Sequence, residues 1–154
     1  MSVQHVREYL MQFNAAERVM EFPVSSATVE LAAQALNCEG ARIAKTLSFM
    51  AGDIPLLIVM AGDMRVDNPK FKKQFGVKAR MMTAEQLESL TGLHFGGVCP
   101  FGIPQNVEIW LDTSLKRFET VYPACGSSNS AIEVTPEELE RFSGAKGWID
   151  IGKA

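Results

Sequence analysis

The hydrophobic pattern of the chain switches between the helical period and the strand period several times. Val3, Val6, Leu10 and Phe13 fall at helical spacing, with Ser2 as a candidate cap, and predict a first amphipathic helix over 2–13. A short strand is expected over Glu21–Val24. Ser25 and Ser26 then offer caps for a helix through Leu36, with Val29, Ala32, Ala33 and Leu36 on one stripe. The alanines imply close packing against a sheet. In the segment 42–50, Ile43, Leu47 and Phe49 share one face under period-two alternation, and Lys45 falls on that same face. Residues 56–61 form an almost unbroken apolar run, as a central strand buried on both faces would.

The second half continues in the same style. Asp67-Asn68-Pro69 reads as a cap with proline in the first turn, opening a basic helix that Gly76 ends. Thr83–Gln86 and Thr135–Glu138 are capping-box patterns, the first leading through Leu87 and Leu90 to Gly92, the second to Phe142. Val107, Ile109 and Leu111 alternate with polar neighbours as a half-buried strand, and further strands are expected at 118–122, 131–134 and 148–151. Strands clustered in the second half as near neighbours argue against a doubly wound nucleotide fold.

Length and composition add bounds. A chain of 154 residues, 47% hydrophobic and 21% charged, reads as one soluble domain over 1–154 that needs no staples. The longest apolar run, Ile54–Ala61, is too short to cross a bilayer, so no membrane association is expected. Arg7 and Glu8 come early with no apolar signal core. Cys38, Cys99 and Cys125 lack metal or redox spacing, so a reducing cytoplasm and no metal are expected.

Charge is unevenly distributed. Six basic residues between Arg65 and Arg80, including Lys70, Lys72 and Lys73, face one acid, Asp67; this window is +5 in a chain whose net charge is −3. One surface could meet phosphates while the rest repels them. A solvated basic helix is the plainer alternative.

Two features suggest chemistry. A lysine on a buried strand face is costly unless it snorkels to water or meets an anion. The segment 93–104, L-H-F-G-G-V-C-P-F-G-I-P, concentrates glycine and proline between a helix and a strand. Its main-chain N–H groups around Gly96, Gly97, Val98 and Cys99 could stabilise an oxyanion. A tight structural crossover is the alternative, and a Cys99–His94 thiol nucleophile is a rival. No dinucleotide, P-loop, serine-hydrolase or zinc-protease motif is present.

Three blocks, T-V-E-L-A-A-Q-A-L-N-C-E-G-A-R-I-A-K-T-L-S-F (28–49), G-G-V-C-P-F-G (96–102) and A-C-G-S-S-N-S-A-I-E-V-T-P-E-E-L (124–139), together resemble the YbaK/prolyl-tRNA synthetase editing-domain family. The resemblance covers roughly 20–145. It implies an α/β fold of the α+β type, a mixed and partly closed sheet flanked by helices, and a free-standing deacylase of mischarged aminoacyl-tRNA without a cofactor. Alanine or cysteine on tRNA for proline are the substrates it implies, with prolyl-tRNA synthetase as a partner; the +5 window, with Lys70, Lys72 and Lys73, is then expected to meet the tRNA. Lys45 matches the family's functional lysine, with Thr46 beside it. Gly96–Pro100 matches the loop that positions the scissile carbonyl, with Gly96 and Gly97 in catalysis. Phe22, Val98, Cys99, Gly126, Ser127 and Asn129 correspond to pocket segments. A ribose hydroxyl and a water do the attack in this scheme, without a protein nucleophile. Pro104-Gln105 and Ser127–Ser130 depart from the lysines and arginines of some cysteine-specific members. A non-catalytic tRNA- or synthetase-binding module of the same fold is the alternative.

Overall fold

The computed structural model describes residues 2–154. In chain order the elements are α1 (Val3–Leu10), β1 (Met20–Glu21), α2 (Val29–Leu36), β2 (Ile43–Ala51), β3 (Ile54–Ala61), β4 (Arg65–Val66), α3 (Asn68–Phe75), β5 (Arg80–Met81), α4 (Ala84–Thr91), β6 (Glu108–Asp112), β7 (Tyr122–Pro123), β8 (Ser130–Ala131), α5 (Pro136–Ser143), β9 (Gly147–Ile149) and β10 (Gly152–Lys153).

The central sheet runs β5-β2-β3-β6-β9, with β7 also on β2. β2 pairs with β3 antiparallel from Ala44↔Ala61 to Ala51↔Ile54, while β6 joins β3 and β9 in parallel. The sheet is therefore mixed, as expected. Leu56 through Ala61 on β3 are each 0% exposed, which confirms a strand covered on both faces. Alternation assigns the layers: Leu57, Val59 and Ala61 pack with Val6, Leu10, Leu87, Leu139 and Phe142 of the helices on one side. Leu56, Ile58 and Met60 pack with Phe49 and with Phe71 of α3 on the other.

Helix starts follow their caps. Ser2, Asp67, Thr83 and Thr135 accept the predicted main-chain N–H bonds, and both capping boxes form. α2 is capped by Thr28 and not by Ser25 or Ser26, because the 25–26 segment is bonded instead to the 126–130 turn; Ser26 N–H donates to Ser128 O at 2.6 Å. The last turn of the first helix tightens to a 3₁₀ turn over Met11–Phe13.

Strand expectations need correction around 113–134. Thr113–Arg117 is a 3₁₀ helix, started by the buried Asp112, whose carboxylate accepts from Ser114 N–H at 3.0 Å. The chain then bends at Phe118 and Glu119, so the strand begins at Tyr122, and Val121 and Val134 meet only as an isolated bridge. The first short strand lies at Met20–Glu21, where it pairs with β8, and not at 21–24. β4, β5 and β10 have two residues each, too few to leave a period. Among the described residues no helix is long and apolar enough to cross a membrane.

Candidate active site

The site begins with a gap in a strand edge. On its outer edge β2 pairs with β7 through Ile43 and Ala44, and with β5 through Phe49 and Met50. Neither partner reaches Lys45–Leu47. Met82 N–H donates to Ser48 O at 3.0 Å, so the even-numbered residues turn their main chain toward this edge. By that alternation the N–H and C=O of Thr46 face the gap. A cleft of about 250 Å³ opens there, lined by Ser26–Val29 and Ala32, by Ile43–Leu47, by Phe95, Gly96 and Val98, and by Tyr122, Ala124, Ser130 and Ala131. The Thr46 hydroxyl oxygen is buried and has no hydrogen-bond partner among the described residues.

Lys45 stands on β2 opposite Met60. Its ammonium donates to Met64 O and, at 3.4 Å, to Gly62 O. Burial pulls its pKa down, and the charges of Asp63 and Glu30 partly oppose that fall. Asp63 is bound by Arg117, with Nη2–Oδ1 at 2.5 Å and Nη1–Oδ2 at 3.0 Å, and that hydrogen bonding holds its carboxyl below the usual range. Lys45 is thus met by main-chain carbonyls, while Asp63, the carboxylate that acts on it most, is engaged by Arg117. This leaves a cation at the cleft not neutralised by direct ion pairing.

The glycine loop closes the opposite wall. Gly96 has φ +95°, and a Cβ there would lie 3.3 Å from Ala27 Cβ. Gly97 presses on the Ser127 backbone, where a Cβ would come to 3.0 Å. Gly97 N–H donates to His94 O at 3.0 Å, so this group is occupied by the turn. The N–H groups of Gly96 and Val98 find no main-chain partner among the described residues.

The remaining sequence-singled residues lie behind the cleft. Cys99 is 0% exposed, its thiol donates to Phe101 O at 3.7 Å, and burial pushes its pKa up to about 12. A thiol so placed is not a thiolate and has no access to substrate, which sets aside the Cys99 nucleophile. Pro100 is buried beside it. Gly126, at φ +90°, abuts the start of α1, where a Cβ would lie 2.9 Å from Val6 Cγ2. Ser127 Oγ bonds Asn129 Oδ1 at 2.9 Å, and Phe22 and Asn129 exchange bonds of 2.8 Å (Phe22 N–H to Asn129 O) and 3.0 Å (Asn129 Nδ2 to Phe22 O). These three residues buttress the turn that carries Ser130 and Ala131 into the wall. Lys45, Thr46, Gly96 and Val98 are therefore brought together; Phe22, Gly97, Cys99, Pro100, Gly126, Ser127 and Asn129 support them from outside the lining.

In the basic window, Lys72 and Lys73 are exposed in the last turn of α3. Lys70 instead bonds Asp150 at 3.2 Å and Gly152 O at 2.9 Å. Sequence reasoning did not find Ala27, Phe95, Tyr122 or Ala124 as lining residues. Ala27, Phe95 and Tyr122 lie within two residues of the blocks 28–49, 96–102 and 124–139, and Ala124 opens the last of them, so nearness to the blocks was the available signal. Among the described residues no three His, Cys, Asp or Glu side chains gather to hold a metal ion.

Comparison with known proteins agrees with this arrangement. The aminoacyl-tRNA editing domain family matches residues 24–142, which include all the lining residues of the cleft. The chain is 53% identical to the uncharacterised protein YwhH of Bacillus subtilis (strain 168), over 99% of this chain and 98% of that protein. It is 28% identical over 73% of its length, and 70% of the other's, to EbsC of Enterococcus faecalis (strain ATCC 700802 / V583), a candidate Cys-tRNA(Pro)/Cys-tRNA(Cys) deacylase. A crystal structure of a candidate trans-editing enzyme for prolyl-tRNA synthetase superposes with a TM-score of 0.89 at 30% identity, covering 99% of this chain and 97% of that one. The mixed sheet, its flanking helices and this match together show that the chain belongs to the aminoacyl-tRNA editing domain family.

Proposed function

We propose that the protein is a trans-editing hydrolase that removes a wrong amino acid, alanine or cysteine, from tRNA for proline. The observation that carries this reading is the meeting, at one small cleft, of a half-buried lysine with main-chain donors that have no main-chain partner among the described residues, while the Cys99 thiol is sealed behind the lining.

Water, positioned by the 2′-hydroxyl of the terminal ribose, attacks the ester carbonyl carbon. The carbonyl electron pair moves onto oxygen, and the N–H groups of Gly96 and Val98 stabilise that oxyanion. Collapse breaks the bond to the ribose 3′-oxygen, which takes the proton released by the attacking water. Amino acid and tRNA with free hydroxyls leave. The role of Lys45 is electrostatic: its cation holds the terminal phosphate and offsets developing negative charge in a site of low polarity. Gly97 and the residues behind the lining hold the loop in position.

A cleft of about 250 Å³ admits a small side chain and its ester, not the body of a tRNA. The acceptor stem must then lie on the surface. Phe71 of α3 packs on Phe49, on the sheet face that carries Lys45. Lys72 and Lys73, at the end of α3, are assigned to its phosphates. Delivery from prolyl-tRNA synthetase belongs to the same reading.

The test is hydrolysis of tRNA(Pro) charged separately with alanine, cysteine, serine and proline. Release from one wrong pair, with the prolyl ester spared, is expected. Equal rates on all four, or none above the spontaneous rate, would contradict it.

A further inference from the structure

We propose that Tyr122 sets the side-chain selectivity of the cleft and that Glu133 and Arg42, outside it, hold the tyrosine ring in place. This rests on the deacylase reading above. Tyr122 enters the lining where β7 meets β2, opposite Ile43. Its hydroxyl donates to Glu133 Oε2 at 3.1 Å. The same oxygen accepts from Thr120 Oγ1 at 2.6 Å and from Arg42 Nη2 at 3.3 Å. Arg42 also donates from Nε to Thr120 O at 3.2 Å, and its guanidinium carbon lies 5.0 Å from the Tyr122 ring centroid. The ring is pinned at its tip by a carboxylate and stacked against a cation.

What surrounds it makes that fixing consequential. Ala27, Ala32, Ala44, Ala124 and Ala131 contribute little bulk to the lining. Phe95, the other aromatic there, is 51% exposed and makes no ring contact among the described residues. Of the two aromatic rings in the lining the held one is therefore Tyr122, set among the aliphatic Val29, Ile43, Leu47 and Val98, and the space left for a substrate side chain depends on where its ring stands. Discrimination between side chains by a packed wall is worth about 10–200-fold per methylene, and only when the wall is held still. Glu133 and Arg42 are positioning residues in this account.

The experiment measures single-turnover hydrolysis of tRNA(Pro) charged with alanine or with leucine, read as the leucine-to-alanine rate ratio. Tyr122→Ala raises that ratio tenfold or more over wild type. Glu133→Ala raises it severalfold, Glu133→Gln restores the wild-type ratio by keeping an acceptor for the hydroxyl, and Glu133→Ala adds nothing in a Tyr122→Phe background. Should Tyr122→Ala not fold, Tyr122→Leu reads the same ratio. An active wild type with an unchanged ratio in the folded Tyr122 variant overturns the selectivity role alone. A Glu133→Ala variant slowed equally on both substrates overturns the positioning role. A wild type silent on the alanyl, cysteinyl and seryl esters overturns the deacylase reading, and this inference with it.

Discussion

Gly62 and Gly40 meet main chain to main chain: a Cβ at position 62 would stand 2.1 Å from the Gly40 carbonyl oxygen and 2.9 Å from Val29 Cγ1. This contact presses the turn after β3 against the loop that leads from α2 into β2. That turn supplies the Gly62 and Met64 carbonyls that receive Lys45. Gly62→Ala must move a backbone, not a flexible side-chain end, and is expected to lower stability by about 1–3 kcal/mol. Urea unfolding reads the loss, and deacylation falls with it because the lysine loses its acceptors. Unchanged stability would mean that the two loops part freely.

Lys45 also leaves a signature in the dependence of stability on pH. Burial lowers its folded-state pKa from the ordinary 10.5. Below the lowered value the lysine is charged in both states, and the desolvation cost is fully present. As pH rises through that value the folded state releases its proton first, so the unfolded state binds more protons and stability rises until 10.5 is passed. Wild type is therefore expected to gain on Lys45→Met across that alkaline window. Parallel stability curves for the two proteins would contradict the burial of the charge.

How much of this was readable beforehand depended on the kind of signal. Lys45 was legible because alternation along 43–49 placed a cation among Leu47 and Phe49, and the structure keeps them on one face. The capping boxes at Thr83 and Thr135 were legible because both bonds are local. The gap beside Thr46 was not, because it results from two-residue strands that stop short on the same edge. Nor could spacing reveal that Gly97 spends its N–H on His94 or that Lys70 reaches Asp150, eighty residues away. The strand read at 118–122 is confined to Tyr122–Pro123 because the chain still bends at Phe118 and Glu119 after a 3₁₀ helix over Thr113–Arg117 that the apolar pattern does not announce.

Lys72 and Lys73 separate from Lys70 in their expected effects. If the exposed pair contacts phosphate, Lys72→Ala and Lys73→Ala each weaken tRNA binding and flatten the slope of log K against log salt by about 0.9. Lys70→Ala acts first on stability, since it frees Asp150 and Gly152 O, the latter in β10 where it pairs with β4. Filter binding over a salt series distinguishes them. Equal slopes in all three variants and wild type would remove α3 from the tRNA surface.

Cys99→Ala tests the role of the loop's side chains. The thiol is sealed, with its pKa pushed up to about 12, so the substitution is expected to retain most deacylase activity while costing about 1–2 kcal/mol of packing. A folded Cys99→Ala protein without turnover would return the thiol to the mechanism.

The most direct measurement compares kcat/KM of wild type and Lys45→Ala on the mischarged tRNA(Pro) that wild type hydrolyses best, with folding of both checked by circular dichroism. A loss of at least a hundredfold in a folded variant, about 2.7 kcal/mol of transition-state stabilisation, is the predicted result. Turnover within threefold of wild type would contradict the placement of the chemistry at the gap in β2.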